Sequence, residues 1–160
     1  MLNFYNFHNK KLDKYDQLFD EIHNWNRHMY GYPFQHLSNI IKHIPGDAYR
    51  YAGGNIKGRW IEAEPVIMRN SFYAYQYARD IIKGRWHEAE PHILMSPWHS
   101  YEYAKYVVKG RWLELEPIIM KTTFAHQYAR DILKERWLDA EPYMDKNHIT
   151  YNFYKDTFNL

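Results

Sequence analysis

The sequence predicts an all-α protein, a short α-solenoid of two-helix repeats with a period of about 26 residues. Three observations predict it. Trp60, Trp86, Trp112 and Trp137 are spaced 26, 26 and 25 residues apart. Each ends a Lys-Gly-Arg-Trp phrase (Lys-Glu-Arg-Trp in the fourth copy), and each is followed four residues on by Glu64, Glu90, Glu116 or Glu141 with a proline after it. Tyr51, Tyr77, Tyr103 and Tyr128 keep the same spacing, as do Ala52, Ala78, Ala104 and Ala129. Self-similarity at such a period marks a stack of supersecondary units, each burying its apolar face against the next.

The elements follow in chain order. Residues 1–31 form an N-terminal capping region, because "KLDKYDQLFDEIHNWNRHMY" has the pattern of one longer amphipathic helix. Residues 32–146 are the helical repeats. The register reaches upstream, where Phe34 takes the tryptophan slot and "NIIKHIPGDAYRYA" aligns with "PVIMRNSFYAYQYA". In "SPWHSYEYAKYVVKG", Ser96 is an N-cap residue and Pro97 suits the first helical position. Ala104, Val107 and Val108 then recur on one face, and Gly110 is expected as the left-handed residue that ends the helix. The longer helix therefore covers about residues 97–109. A shorter helix over about residues 87–95 starts just after Trp86, with its Glu-x-Glu pair in the first turn, where the helix dipole favours negative charge. Residues 147–160 are a C-terminal capping half-repeat: "NHITYNFYKDTF" aligns with "TTFAHQYARDIL", which sets Tyr154 on the recurring alanine, as expected where nothing stacks beyond.

Composition removes several function classes. With no cysteine there is no disulfide framework, thiolate zinc site or cysteine nucleophile. No apolar run approaches the ~20 residues of a membrane span. The N-terminus lacks the basic-then-apolar order of a signal peptide. The expectation is a soluble, cytoplasmic protein with no membrane partner. A formal charge of +2 argues against polyanion binding by bulk electrostatics. The aromatic content, 19%, is high and suits thin cores and contact surfaces alike.

The repeated residues read first as a joint. Trp60, Trp86, Trp112 and Trp137 fill the seam between helix pairs, and Arg59, Arg85, Arg111 and Arg136 reach a glutamate of their own or the next unit. The alternative is that the four arginines line a groove for phosphates or carboxylates. The paired acids recur in every unit, whereas an enzyme needs one site, so they read as solvated, dipole-favoured groups. No catalytic residue, metal ligand set or cofactor is assigned. His87 and His92 stand five apart, off a common helix face, and there is no H-E-x-x-H pattern. Gly53-Gly54 replace the pairs Arg79-Asp80, Lys105-Tyr106 and Arg130-Asp131, so that helix is expected to end early, to meet a close neighbour, or to be a degenerate edge copy.

Function in a repeat protein sits in what differs between units. The second unit is the most individual: "HILMSPWHS" offers His92, Met95, Trp98 and His99 beside Tyr101 and Tyr106 as partner-binding anchors. Trp98 stands where the sister copies have Phe72 and Phe124, so a core role is the other reading.

The units "YARDIIKGRWHEAEPHIL" and "YAKYVVKGRWLELEPIIM" resemble the tandem Y-A-x-x-V-I-x-G-R-W-x-E-A-E-P repeats of bacteriophage and related viral proteins. The resemblance covers about residues 49–143. It implies a phage-encoded accessory protein in the host cytoplasm, and it brings no activity, cofactor or catalytic residue. "KERW" at residues 134–137 departs from the pattern by losing the glycine, which puts that helix cap in doubt. The sequence therefore predicts a non-enzymatic protein-interaction module that binds, and inhibits or redirects, a host defence or metabolic protein. The alternative is a nucleotide or nucleic-acid binder using the Arg, Trp and Tyr face. An enzyme ranks third, because no copy carries a titratable pair its sisters lack. Homo-oligomerisation is left open.

Overall fold

A computed structural model describes residues 35–160, with side chains from Ser38 onward. The predicted capping helix in residues 1–31 lies outside the described residues. Contacts part the chain between Ser38 and Asn39. Everything below concerns the unit that begins at Asn39.

The described residues form nine α-helices and no strand, so this part of the chain is all-α. After α1 (Gln35–Ile41), each unit opens with a helix of one to two turns. These are α2 (Pro45–Tyr51), α4 (Ser71–Tyr77), α6 (Pro97–Tyr103) and α8 (Ala125–Tyr128). Their starts follow local chemistry. Asn70 accepts hydrogen bonds from the Phe72 and Tyr73 amides, and Ser96 accepts one from the His99 amide as expected. Ile44, in the same place before α2, offers no side-chain cap.

Each helix then widens into a π-helical turn: Ala52–Ile56, Ala78–Ile82, Ala104–Val108 and Ala129–Leu133. The recurring alanine is fully buried in every copy. Its carbonyl accepts from the residue five on, as from Lys109 to Ala104 at 2.8 Å, and in three copies also from the glycine six on. The wide turn ends on a lysine in the left-handed region, at Lys57, Lys83, Lys109 and Lys134, with φ between 56° and 59°. This corrects the expected cap. The left-handed position falls one residue before the expected glycine, on lysine, and Gly110 keeps a backbone outside that region with open space for a Cβ. Glu135 accordingly fills that slot in the fourth unit.

The short second elements are α3 (Glu64–Ile67), α5 (Glu90–Ile93), α7 (Glu116–Ile119) and a 3-10 turn, Glu141–Tyr143. A 3-10 turn at His87–Ala89 precedes α5, so the element expected at 87–95 begins where its acidic pair predicts. Pro65, Pro91, Pro117 and Pro142 fall in the first turn, where a missing N–H leaves no bond unmade. The chain closes with α9 (Ile149–Phe158).

The core is a file of small and aromatic residues. Ala48, Ala74, Ser100 and Ala125 are fully buried on the first helices, as are Ala63, Ala89, Leu115 and Ala140 at the second ones. Small side chains let neighbouring backbones approach closely, which suits a core only one or two rings thick. Gly53 and Gly54 sit in a π turn like that of their sisters, so the helix does not end early there. A Cβ on Gly53 would stand 3.3 Å from Ile81 Cδ1, and one on Gly54 would meet nothing.

Candidate functional site

Two hydrogen-bonded ladders run between successive units, and they decide which side chains are engaged in structure. In the first, the arginine before each tryptophan grips the glutamate five residues on. Arg85 Nε and Nη2 donate to Glu90 Oε1 and Oε2, both at 2.8 Å, and Arg59–Glu64, Arg111–Glu116 and Arg136–Glu141 repeat this fork. The tyrosine of the next unit completes the joint. Tyr103 Oη accepts from the Trp86 amide at 2.7 Å and donates to Glu90 Oε1 at 3.0 Å. Tyr77, Tyr128 and Tyr154 do the same for Trp60 with Glu64, Trp112 with Glu116 and Trp137 with Glu141. Each of these tyrosines except the last also packs its ring on its own unit's tryptophan, at centroid distances of 5.1–5.3 Å.

Two expectations are corrected here. Tyr154 is not a bulky substitute for the recurring alanine; it is the tyrosine of the fourth joint, 26 residues after Tyr128. The alignment of the last copy therefore slips by one residue. Nor are all the paired acids solvated: Glu62, Glu88 and Glu114 are exposed, but Glu116 and Glu141 are half-buried, Glu64 is buried, and Glu90 is 8% exposed and lies inside the joint. Burial pushes its carboxyl up, but hydrogen bonds from Arg85 and Tyr103 outweigh that and leave it below its ordinary value. The arginine fork that was to face a ligand is engaged on its Nε and Nη2 edge by its own unit's acid in all four copies.

The second ladder joins the residue two before each joint tyrosine to an acid of the following unit. Tyr49 Oη donates to Asp80 at 2.8 Å, Tyr75 Oη to Glu102 at 3.4 Å, and Tyr101 Oη to Asp131 at 2.5 Å. A base four residues on braces the second and third rungs, Arg79 Nη1 reaching Tyr75 Oη at 2.8 Å and Lys105 Nζ reaching Tyr101 Oη at 3.1 Å. Burial, then the hydrogen bond to Asp131, pushes the Tyr101 hydroxyl up to about 12. In the fourth unit His126 takes this position.

The predicted partner-binding residues divide. Met95 is 79% exposed and Trp98 45% exposed, with Trp98 tilted against Phe124 at 5.4 Å and Tyr101 at 5.8 Å. Phe72, one unit earlier, is exposed to a similar degree and leans on the His99 ring at 5.5 Å. His99 is half-buried, bonds Ser71 Oγ through Nδ1 at 2.9 Å, and has its proton affinity lowered by burial. His92 is half-buried, and Tyr106 is exposed beneath Lys105 Nζ at 5.4 Å. Tyr101 is the correction: at 3% exposed it supports Trp98 from the inner side and presents no surface. Its hydroxyl is held by Asp131 and Lys105, which is why it cannot serve as an anchor.

Among the described residues, no three His, Asp or Glu side chains converge as a metal would need, and no helix is long and apolar enough to cross a membrane. The sequence reading missed His126 and the rung acids. The signal was present, since His126 breaks a Tyr49, Tyr75, Tyr101 series at the same spacing as the joint tyrosines. No family model, curated protein sequence or solved structure matches this chain.

Proposed function

We propose that the chain is a binding protein without catalytic chemistry, that its helix pairs stack as a short α-solenoid of about 26 residues per unit, and that the side carrying Phe72, Met95 and Trp98 receives a protein partner. The observation that carries this reading is the division of labour among the aromatics. The repeated Trp and Tyr are buried in joints, whereas Trp98 and Phe72 stand in the series with large rings left open to solvent. Trp98, on a helix and braced by Tyr101 and Phe124, makes a strong contact anchor because little side-chain freedom remains to be lost on binding, and Met95 adds adaptable apolar surface from the turn before it. The resemblance to phage repeats makes a host protein in a bacterial cytoplasm the expected partner, with inhibition or redirection of that protein as the effect. The nucleotide alternative is weakened by the arginine forks, whose ligand edge already holds a carboxylate.

The test has two stages. A tagged chain recovers partners from bacterial lysate with and without nuclease, and the recovered protein is then purified and titrated against the pure chain. One-to-one binding that resists nuclease, and that Met95→Ala with Trp98→Ala weakens at least tenfold while helicity is retained, supports the reading. Binding that vanishes with nuclease, or is indifferent to both substitutions, overturns it.

A further inference from the structure

A cavity of about 100 Å³ lies between the fourth unit and α9, lined by Lys121, Thr123, His126, Tyr143, His148 and Thr150 among others. Its origin is visible in the repeat. At the first and third joints the rung tyrosine packs against a ring four residues before the next joint tyrosine: Tyr49 on Tyr73 at 6.0 Å and Tyr101 on Phe124 at 6.3 Å. At the fourth joint the two places hold His126 and Thr150. Two rings have become one imidazole and one hydroxyl, and a hole remains.

The rung chemistry is incomplete in the same place. The acids of the first three rungs come from two positions of the following unit, one before the joint tyrosine (Glu102) or three after it (Asp80 and Asp131). In the last unit these positions are Phe153 and Thr157, and the nearby Asp156 is exposed. The rest of the rung is kept. His126 is 6% exposed with a hydrogen-bonding nitrogen inside, and Arg130 stands four residues on, where Arg79 and Lys105 stand in the rungs above. Among the described residues, His126 Nε2 is buried with no hydrogen-bond partner, an arrangement that is costly if nothing fills it.

We propose that this cavity binds a small monocarboxylate, whose oxygens stand in for the acid that Asp80, Glu102 and Asp131 supply to the other rungs. In its Nε2–H tautomer His126 donates to one carboxylate oxygen, while Lys121 sets a positive edge; His148 is engaged through Nδ1, which accepts from the Thr150 amide at 3.4 Å. Asp145 is the acid of the lining, and it accepts from the Asn147 amide at 2.9 Å. The volume limits the ligand to a few heavy atoms, of acetate or propionate size, and the methyl end faces Met144 and the Tyr143 ring. The inference does not rest on the partner-binding reading, since it concerns the other end of the unit.

Burial, then Arg130 and His148, disfavour protonation of His126, and Asp131 favours it. A bound carboxylate adds a second negative charge and favours the imidazolium, so affinity should rise as pH falls from 7 toward 5. The experiment is a titration of the full chain with acetate and propionate, followed by the ¹⁵N resonances of the His126 ring and by thermal melting. Phosphate and chloride at matched ionic strength are the controls. For so few atoms the expected Kd is on the order of millimolar. Saturable movement of the His126 ring and a rise in Tm with the carboxylates alone support the site. His126→Tyr, which restores the template ring, and Thr150→Phe, which fills the hole from the other side, should each abolish the response. The proposal is overturned by no saturable shift in the wild-type chain, by an equal response to phosphate or chloride, or by a response that persists in either filled variant. Because the wild-type titration decides first, a variant that fails to fold does not shelter the idea.

Discussion

Tyr103 shows what a single residue does in this protein. Its hydroxyl satisfies a buried Trp86 amide and a buried Glu90 carboxylate, and its ring packs on Trp112. Substitution by phenylalanine keeps the ring and strands both polar partners. The expected loss is about 2–3 kcal/mol in urea unfolding, because an orphaned buried donor and a weakened buried acid each carry a desolvation penalty. Tyr106→Phe, on an exposed ring three residues along, should change stability by less than about 0.5 kcal/mol. Equal effects of the two would show that the joint hydrogen bonds contribute little. The Trp and Tyr series was legible from spacing alone. The hydroxyl's double role was not, because spacing says which residues recur and nothing about which atoms meet. The same limit explains the slip at Tyr154. Pattern matching favoured the small residue of the aligned copy, while the geometry keeps the 26-residue tyrosine interval.

At the scale of the element, the recurrent feature is a helix that widens before it stops. A π turn closed by a left-handed lysine appears four times. A side chain in that backbone region is disfavoured by roughly 1–2 kcal/mol, and glycine there relieves it while adding unfolded-chain freedom worth roughly 0.5–1 kcal/mol. Lys109→Gly should therefore raise stability by about 0.5–1 kcal/mol. Gly110→Ala should also be tolerated or mildly stabilising, by about 0.4–1 kcal/mol, since its backbone is not left-handed and an added Cβ meets open space. Destabilisation by Gly110→Ala together with a neutral Lys109→Gly would restore the conventional glycine cap. The helices themselves were readable from Ser96, Pro97 and the apolar spacing. The π turn was not, because a five-residue ring and a four-residue ring present nearly the same apolar face to a sequence pattern.

For the whole described unit, the linkage of folding to protons has two limbs. His126, ordinarily titrating near 6.5, is held down to about 4, first by burial and then by the Arg130 and His148 charges. The unfolded chain thus takes up a proton as pH falls below 6.5 while the folded chain waits until about 4, so stability declines across that window. His99, lowered by burial, adds to the decline with the same sign. The second limb belongs to acids. Asp131 and Glu141 are held below the usual carboxylate range by their Arg130 and Arg136 partners, and Asp80 by Arg79. Their contribution is complete above the ordinary carboxylate values and is lost as pH falls through the lowered ones. Thermal melting between pH 8 and 3 should show both limbs, and His126→Phe should flatten the first apart from the share of His99. An unchanged first limb in that variant would place the responsible group elsewhere.

The joint also bears on how such a chain changes length. The tryptophan, glutamate and tyrosine of the joint recur in every unit, so the bonds Tyr77 makes to Trp60 and Glu64 could equally be made by Tyr103. Excision of residues 71–96 would leave Asn70 to cap the helix that begins at Pro97 and set Tyr103 against Trp60. The shortened chain should remain helical and melt in one transition at a lower temperature, whereas removal of 20 residues should scramble the fold. Unequal crossover within the gene that respects the 26-residue spacing would then leave the joint bonds intact.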